Sequence, residues 1–275
     1  MNKNTPTAFY PVQPFFVTNA GRYLKHISGG SGIAHYYSYT IGEDAPTETT
    51  VIPDGSVDVI FKIASGGASA SLCGYVTGVR SMQLEPGAEY FGVRYMPGYL
   101  PRALGLRIGD LTDCVLDFTE ITGDREILET IALERDFLTR ARIFEARYSG
   151  AAPADGTTSS YLVPALLENI FENKGQIHIG EMESYTGFSE RYIRSVFKGV
   201  LGTSPKVFCN FIRFQAAIKK LNRPGGGSIA DVASGCGYFD QSHLIKEFHR
   251  YAGESPVKYL SAIDPPSYWK KIVVT

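Results

Sequence analysis

The chain has 275 residues, of which 44% are hydrophobic and 20% charged. That is an ordinary soluble composition, long enough for two domains with sizeable cores, and the lack of any run of 18 apolar residues excludes a membrane-spanning helix. The net charge of −1 is uneven, with 14 Lys+Arg against 10 Asp+Glu from 161 to 275 and 13 against 18 before that, so the C-terminal part is the one expected to meet an anion.

The N-terminus has no apolar signal-peptide core, and a cytoplasmic location is expected. Tyr10 to Val17, Pro-rich, reads as extended. Ile33 to Ile41 is dense in aromatic and β-branched residues, as a strand is. Pro53-Asp54-Gly55 is a turn signal. After it Val57, Val59, Phe61 and Ile63 alternate as one face of a half-buried strand. G-G-A-S-A-S-L-C-G and E-Y-F-G-V-R-Y continue the pattern of short strands between glycines. Such spacing suggests a β-barrel or sandwich. Near Gly98 the pattern changes to short helices or turns. From Asp124 to Tyr148 the chain reads as a helix pair or one long helix, with Leu133, Phe137, Ala141, Phe144 and Tyr148 on one side. That stripe packs on the barrel or forms a dimer contact. A small, polar stretch with Pro and Gly at 149–160 marks the interdomain linker.

The four cysteines (Cys73, Cys114, Cys209, Cys236) lack a C-x-x-C pair and are expected as free thiols. The histidines show no ligand spacing, and His26 and His35 have no H-x-H partner or suitably placed carboxylate. No metal and no cofactor are expected.

The last hundred residues read as helix and contain a repeat. Shifting Gly187–Pro205 by 51 residues superposes Phe188 on Phe239, Phe197 on Phe248, Gly202 on Gly253, Ser204 on Ser255 and Pro205 on Pro256. In each copy Ser189 or Asp240 is expected to cap a helix. Phe188 or Phe239 should staple onto Ile193 or Leu244, and Gly202 or Gly253 should end the helix in the left-handed conformation. A shorter helix precedes each, at 179–186 and 228–236, so each copy is a helix-turn-helix. Pro205–Leu221 reads as a long helix tying the two together.

Asp240, Ser242 and His243 carry the letters of a hydrolase triad. Adjacent residues on a helix point about 100° apart, so Ser242 and His243 cannot form its relay. The repeat gives them another use. With Ile193, Val196 and Phe197 buried, Arg191, Arg194, Ser195 and Lys198 share another face. In the second copy Gln241, Ser242, His243 and Lys246 lie near the helix start. Such faces suit the DNA major groove, where arginine pairs with guanine and lysine meets phosphate.

Residues 162–260 resemble the DNA-binding domain of AraC/XylS-type transcription regulators. They carry S-x-x-x-I-x-x-x-F-K-x-x-x-G-x-S-P, the linker helix I-R-F-Q-A-A, I-A-x-V-A and G-Y-x-D-Q-S-H-L-x-x-x-F. The resemblance implies seven helices and two recognition helices entering successive major-groove segments. It makes Arg191, Arg194, Ser195, Lys198, Gln241, Ser242, His243 and Lys246 the DNA-binding candidates. Glu183 departs from the small residue usual in the first short helix, so either that helix rotates or the glutamate reaches solvent.

V-I-P-D-G-S-V-D-V-I-F and F-G-V-R-Y-M-P-G-Y-L-P-R-A-L-G resemble the cupin-like sensor region of some of these regulators. An aromatic interior could hold a small apolar or amphipathic ligand. Tyr37, Tyr39, Phe61 and Tyr95 are the binding candidates, with Tyr36, Tyr90 and Phe91 nearby. The expected fold is α+β: a β-rich cupin-like barrel with flanking helices at 1–150, a linker at 151–161, an all-α double helix-turn-helix domain at 162–264 and a tail at 265–275. The expected function is sequence-specific regulation of transcription, with double-stranded DNA as partner and no membrane. A small-molecule effector or homodimerisation through the first half would modulate it, and RNA polymerase is a further partner if the protein activates. No catalytic residues are expected. The competing reading is a metal-free barrel enzyme fused to a DNA-binding domain.

Overall fold

The computed structural model describes residues 10–28, 32–149, 151–152 and 159–275. Pro14, whose fixed φ suits a first helical turn, opens helix α1 (Pro14–Asn19) where extended chain is expected. Strands β1 (Ala20–His26), β2 (Ile33–Ile41), β3 (Glu48–Val51), β4 (Asp58–Ala64), β5 (Gly67–Cys73), β6 (Arg80–Gln83) and β7 (Glu89–Tyr95) follow. After the short β8 (Leu100–Pro101) come two 3-10 turns, at 102–104 and 108–111. Then come β9 (Val115–Asp117) and helices α2 (Phe118–Thr122), α3 (Arg125–Leu133) and α4 (Phe137–Tyr148). The two-residue β10 (Ala151–Ala152) pairs with β8. Most of the expected linker, 153–158, lies outside the described residues.

The larger sheet runs β9-β5-β4-β7-β2-β1 with one further strand beyond β1, while β3 and β6 form a separate pair. One face of the sheet packs on α2–α4. There Phe61, Phe91, Phe118, Phe144 and Tyr148 interlock at centroid distances of 5.1–6.3 Å. The alternation read from Val57 to Ile63 therefore describes the helix-facing side of β4. Its other side, with Asp58 and Ile60, is buried too, because the β3–β6 pair and α1 cover the sheet's inner face. The stripe on α4 packs against the sheet as expected, but Leu133 does not join it and is 83% exposed. The helix breaks at 134–136, where Asp136 caps α4 by accepting from the Thr139 N–H at 2.8 Å. That break resets the phase of the stripe.

The second half runs α5 (Ser159–Glu172), α6 (Ile179–Thr186), α7 (Glu190–Leu201), α8 (Pro205–Leu221), α9 (Ile229–Gly235), α10 (Gln241–Ala252) and α11 (Pro256–Ile263). These are the seven helices implied by the resemblance. The segment expected as a tail holds α12 (Pro265–Lys271) and β11 (Ile272–Val274), which pairs in parallel with β1, Tyr23 opposite Ile272.

Candidate nucleic-acid interface

The two helix-turn-helix units repeat in three dimensions what the sequence repeats in one. Helices α7 and α10 are 12 residues each and start 51 positions apart. Ser189 accepts from the Tyr192 N–H at 3.4 Å and Asp240 from the His243 N–H at 2.7 Å, so both first turns are capped as expected. Gly202 and Gly253, at φ of 69° and 76°, close them in the left-handed region. The buried stripes rest on α8: Phe197 meets Phe208 at 5.5 Å and Phe248 meets Phe214 at 5.0 Å, both edge to face. Ser204 and Ser255 cap the helices that follow. One rigid helix thus sets the spacing of two others.

The second hydrophobic staple does not form. In the first unit Phe188 stacks on Tyr192 at 5.1 Å and Ile193 is fully buried. Phe239 packs on nothing comparable and is 93% exposed. Leu244, its expected partner, belongs to the α8 side of the helix. Glu183 reaches solvent while Met182 fills the core, so α6 keeps its packing.

Arg191, Arg194, Ser195 and Lys198 are all exposed on α7. Arg194 is held by Glu190 one turn earlier at 3.2 Å. On α10, Gln241, Ser242 and Lys246 are exposed. His243 leans back, edge-on to Tyr238 at 5.2 Å and with Nε2 4.0 Å from Glu247. Arg194 and His243 both line the cleft between the units, along with Arg213 of α8. Arg213 ties the cleft together, bonding Asn210 at 2.9 Å and the buried Glu247 at 3.3 Å and lying over the Tyr238 ring. Ser242 and His243 stand near one another, but the Asp240 carboxylate is engaged with the backbone, so no triad exists.

The N-terminal half grips the C-terminal ends of both α7 and α10. Tyr75 donates its hydroxyl hydrogen to the Leu201 carbonyl and accepts from Thr112. Gly109 lies so close to Gly202 that a Cβ on Gly109 would meet the Gly202 nitrogen at 2.9 Å. Val79 lies against Gly253, 3.6 Å from where its Cβ would be. The linker helix is gripped as well. Gln215, fully buried, accepts from the Val12 N–H at 2.9 Å and donates to the Val12 and Pro53 carbonyls at 3.2 and 3.1 Å. Gly55 of the expected turn, at φ 77°, leaves room for the Phe208 ring. Burial chiefly pushes Lys25 of β1 down to about 8 and Lys219 of α8 to about 7, and each repels its neighbouring cations.

Between the sheet and the β3–β6 pair lies a cavity of about 490 Å³. Tyr37, Tyr39, Phe61 and Tyr95 do not line it. Tyr37 and Tyr39 belong to a stacked series with Tyr23 and Tyr90, and Phe61 and Tyr95 lie fully buried. Of the neighbouring rings considered, Tyr90 reaches the cavity and Tyr36 and Phe91 stack on each other. The lining is more polar than the aromatic count suggests: Asp54, Ser56, Asp58, Ser69, Ser71 and Arg94 face inward beside Ile52 and Ile60. Arg94 donates from Nε to Asp58 at 2.8 Å and lies over the Tyr37 ring. Its Nη1 stands 3.4 Å from Asp54 without hydrogen-bond alignment, and this nitrogen and the Ser56 hydroxyl are buried without hydrogen-bond partners. Burial pushes the Asp54 carboxyl up to about 6 against the pull of Arg94. Asp54 faces the cavity while its neighbour Pro53 touches Gln215. Tyr75, Arg80 and Asp113 line the same cavity beside the residues that touch α7 and α10.

Sequence reading did not single out this junction. The one signal was Gln215 itself, an amide among the apolar positions of a helix. Elsewhere, His26 bonds the Thr275 carbonyl at 2.7 Å, while His35 is buried with its pKa held down by desolvation.

Residues 182–262 match a family model described as a helix-turn-helix domain, and residues 31–117 match a domain of unknown function, DUF6597. No curated protein matches the chain. Among solved structures, a probable AraC family transcriptional regulator from Rhodopseudomonas palustris is 27% identical. The match covers 38% of this chain and 98% of that one, with a TM-score of 0.34. ToxT from Vibrio cholerae is 14% identical over 82% of this chain and 97% of its own, with a TM-score of 0.42. Its unsaturated fatty acid-bound form is 14% identical over 87% and 92%, at 0.41. No helix among the described residues is long and apolar enough to cross a membrane. The chain carries a helix-turn-helix domain in its C-terminal half and, before it, a β-rich domain of unknown function.

Proposed function

We propose that this protein is a cytoplasmic, sequence-specific regulator of transcription rather than an enzyme, binding double-stranded DNA through α7 and α10 in two successive major-groove segments. One observation carries the reading. Two capped helices of equal length and register are fixed by α8 with their polar faces exposed and their far ends held by the other half. Recognition helices meet base edges through such faces, about one helical turn, ~10 base pairs, apart. Arg191, Arg194, Gln241 and Ser242 are assigned to bases, Lys198 and Lys246 to phosphates, and Ser195 and His243 to the edges of the two contacts.

The cavity supplies the regulation. A small amphipathic molecule would meet the Arg94 Nη1 and the Ser56 hydroxyl, which lack hydrogen-bond partners, since buried polar groups of that kind favour whatever satisfies them. Its presence would bear on the Asp54 turn, and through Pro53 on Gln215 and α8. Homodimerisation and contact with RNA polymerase are further steps for such a regulator. Selection of bound fragments from a random DNA pool, with and without cell extract, tests the reading. A preferred sequence with two half-sites supports it, and indifferent binding at physiological salt defeats it.

A further inference from the structure

Phe239 is the most exposed large apolar residue among those described, at 93%. A phenyl ring left in water forgoes a large hydrophobic gain. The same position in the first unit does not forgo it, since Phe188 stacks on Tyr192 and is only 37% exposed. The difference falls at a meaningful place. Phe239 immediately precedes Asp240, the cap of α10, so it stands at the end of the helix where Gln241 and Ser242 are also exposed. Base edges in the major groove offer a single apolar group, the 5-methyl of thymine, and aromatic side chains contact it.

We propose that Phe239 is a specificity-determining residue that covers a thymine methyl in the DNA segment met by α10. The ring's partner is thus a pyrimidine methyl on DNA, and the second half-site is read partly by apolar contact while the first, with Arg191 and Arg194, is read by charge and hydrogen bonds. The inference rests on the DNA-binding reading above.

The test uses the full chain and the best fragment from the random pool. Each thymine of the half-site facing α10 is replaced by deoxyuridine, which removes the methyl and keeps the pairing. Covering a methyl group corresponds to about four-fold in affinity. One thymine should therefore show a loss of about that size with the wild-type protein. Phe239→Ala should bind the thymine fragment about four-fold more weakly and be indifferent to the deoxyuridine change. Phe239→Leu should keep part of the discrimination. An unaltered urea midpoint for both variants is expected, because the ring packs on nothing. Wild-type binding that ignores every deoxyuridine, or a selected half-site without a preferred thymine, overturns the proposal and leaves the DNA-binding reading intact. Equal sensitivity to deoxyuridine in wild type and Phe239→Ala also overturns it and leaves the ring to a protein partner. If the wild-type chain binds no DNA, the broader reading fails first.

Discussion

Replacing Gln215 by leucine should loosen the two halves of the molecule from each other while leaving their apolar contacts in place. The two side chains are similar in volume, so little cavity opens. What changes is the hydrogen bonding. The Pro53 carbonyl is stranded in the interior, and the Val12 N–H and carbonyl lose partners at a half-buried place. A stranded buried group costs about 1–3 kcal/mol and a lost half-buried bond about 1 kcal/mol. Because solvent can recover part of the Val12 losses, the expected total is about 3 kcal/mol. The chain's single tryptophan is a convenient reporter. Trp269 sits on α12 near α1, with its indole N–H donating to the Asn222 carbonyl. Urea unfolding followed by its fluorescence should show a lower midpoint, and a broadened or split transition if the halves uncouple. A shift equivalent to less than about 0.5 kcal/mol, with an unchanged slope, would refute the idea that this amide holds the halves together.

Arg194→Ala should lower specific affinity by about 1–3 kcal/mol, and an unchanged binding isotherm at fixed salt removes Arg194 from base contact. Lys198→Ala should weaken binding to all sequences alike and reduce the salt slope by about one. Gly109→Ala places a methyl 2.9 Å from the Gly202 nitrogen. It should push the end of α7 off the first half at a cost of about 1–3 kcal/mol. Hydrogen exchange should then quicken around Gly202 and stay unchanged in the middle of α10, and unchanged protection at both places contradicts the close approach. Asp54 carries a pH prediction. Its folded carboxyl is raised to about 6, so as pH climbs from 4 to 6 the unfolded chain ionises first and the folded state loses ground. Compared with Asp54→Asn, the wild-type protein should lose about 2–3 kcal/mol of stability across that window and then level off. Parallel profiles of urea midpoint against pH speak against a raised carboxyl.

Helices α7 and α10 were legible because their determinants are local. A cap, an apolar stripe, a left-handed glycine and a Ser-Pro restart each act within a few residues, and the 51-residue shift repeated all of them. The bounds read for α6 and α8 agree with those observed. What failed turned on which neighbour a side chain meets in three dimensions, near or far along the chain. Phe188 and Phe239 looked equivalent, yet one found Tyr192 and the other nothing. The tyrosines of β2 and β7 suggested an aromatic pocket, but rings at a spacing of two along neighbouring strands reach one another before any ligand. The polar wall of the cavity instead depends on Asp58 and Arg94, residues opposite each other on adjacent strands β4 and β7. No pattern within either strand could announce that pairing. Leu133 fell out of its stripe because Asp136 caps a new helix and resets the count.

The placement of β11 beside β1 makes the β-rich half discontinuous in sequence. Its sheet begins before the helical half and is completed after it, so the helical half is enclosed like a clause within a sentence. The halves are joined covalently at two crossings, one through 153–158 and one from α12 into β11. A single proteolytic cut near 155 therefore should not part them, since the strand pair and the Gln215 bonds remain. An isolated fragment of either half would carry an unpaired strand edge, which invites association with other chains. The intact chain is therefore the natural unit for studying this protein.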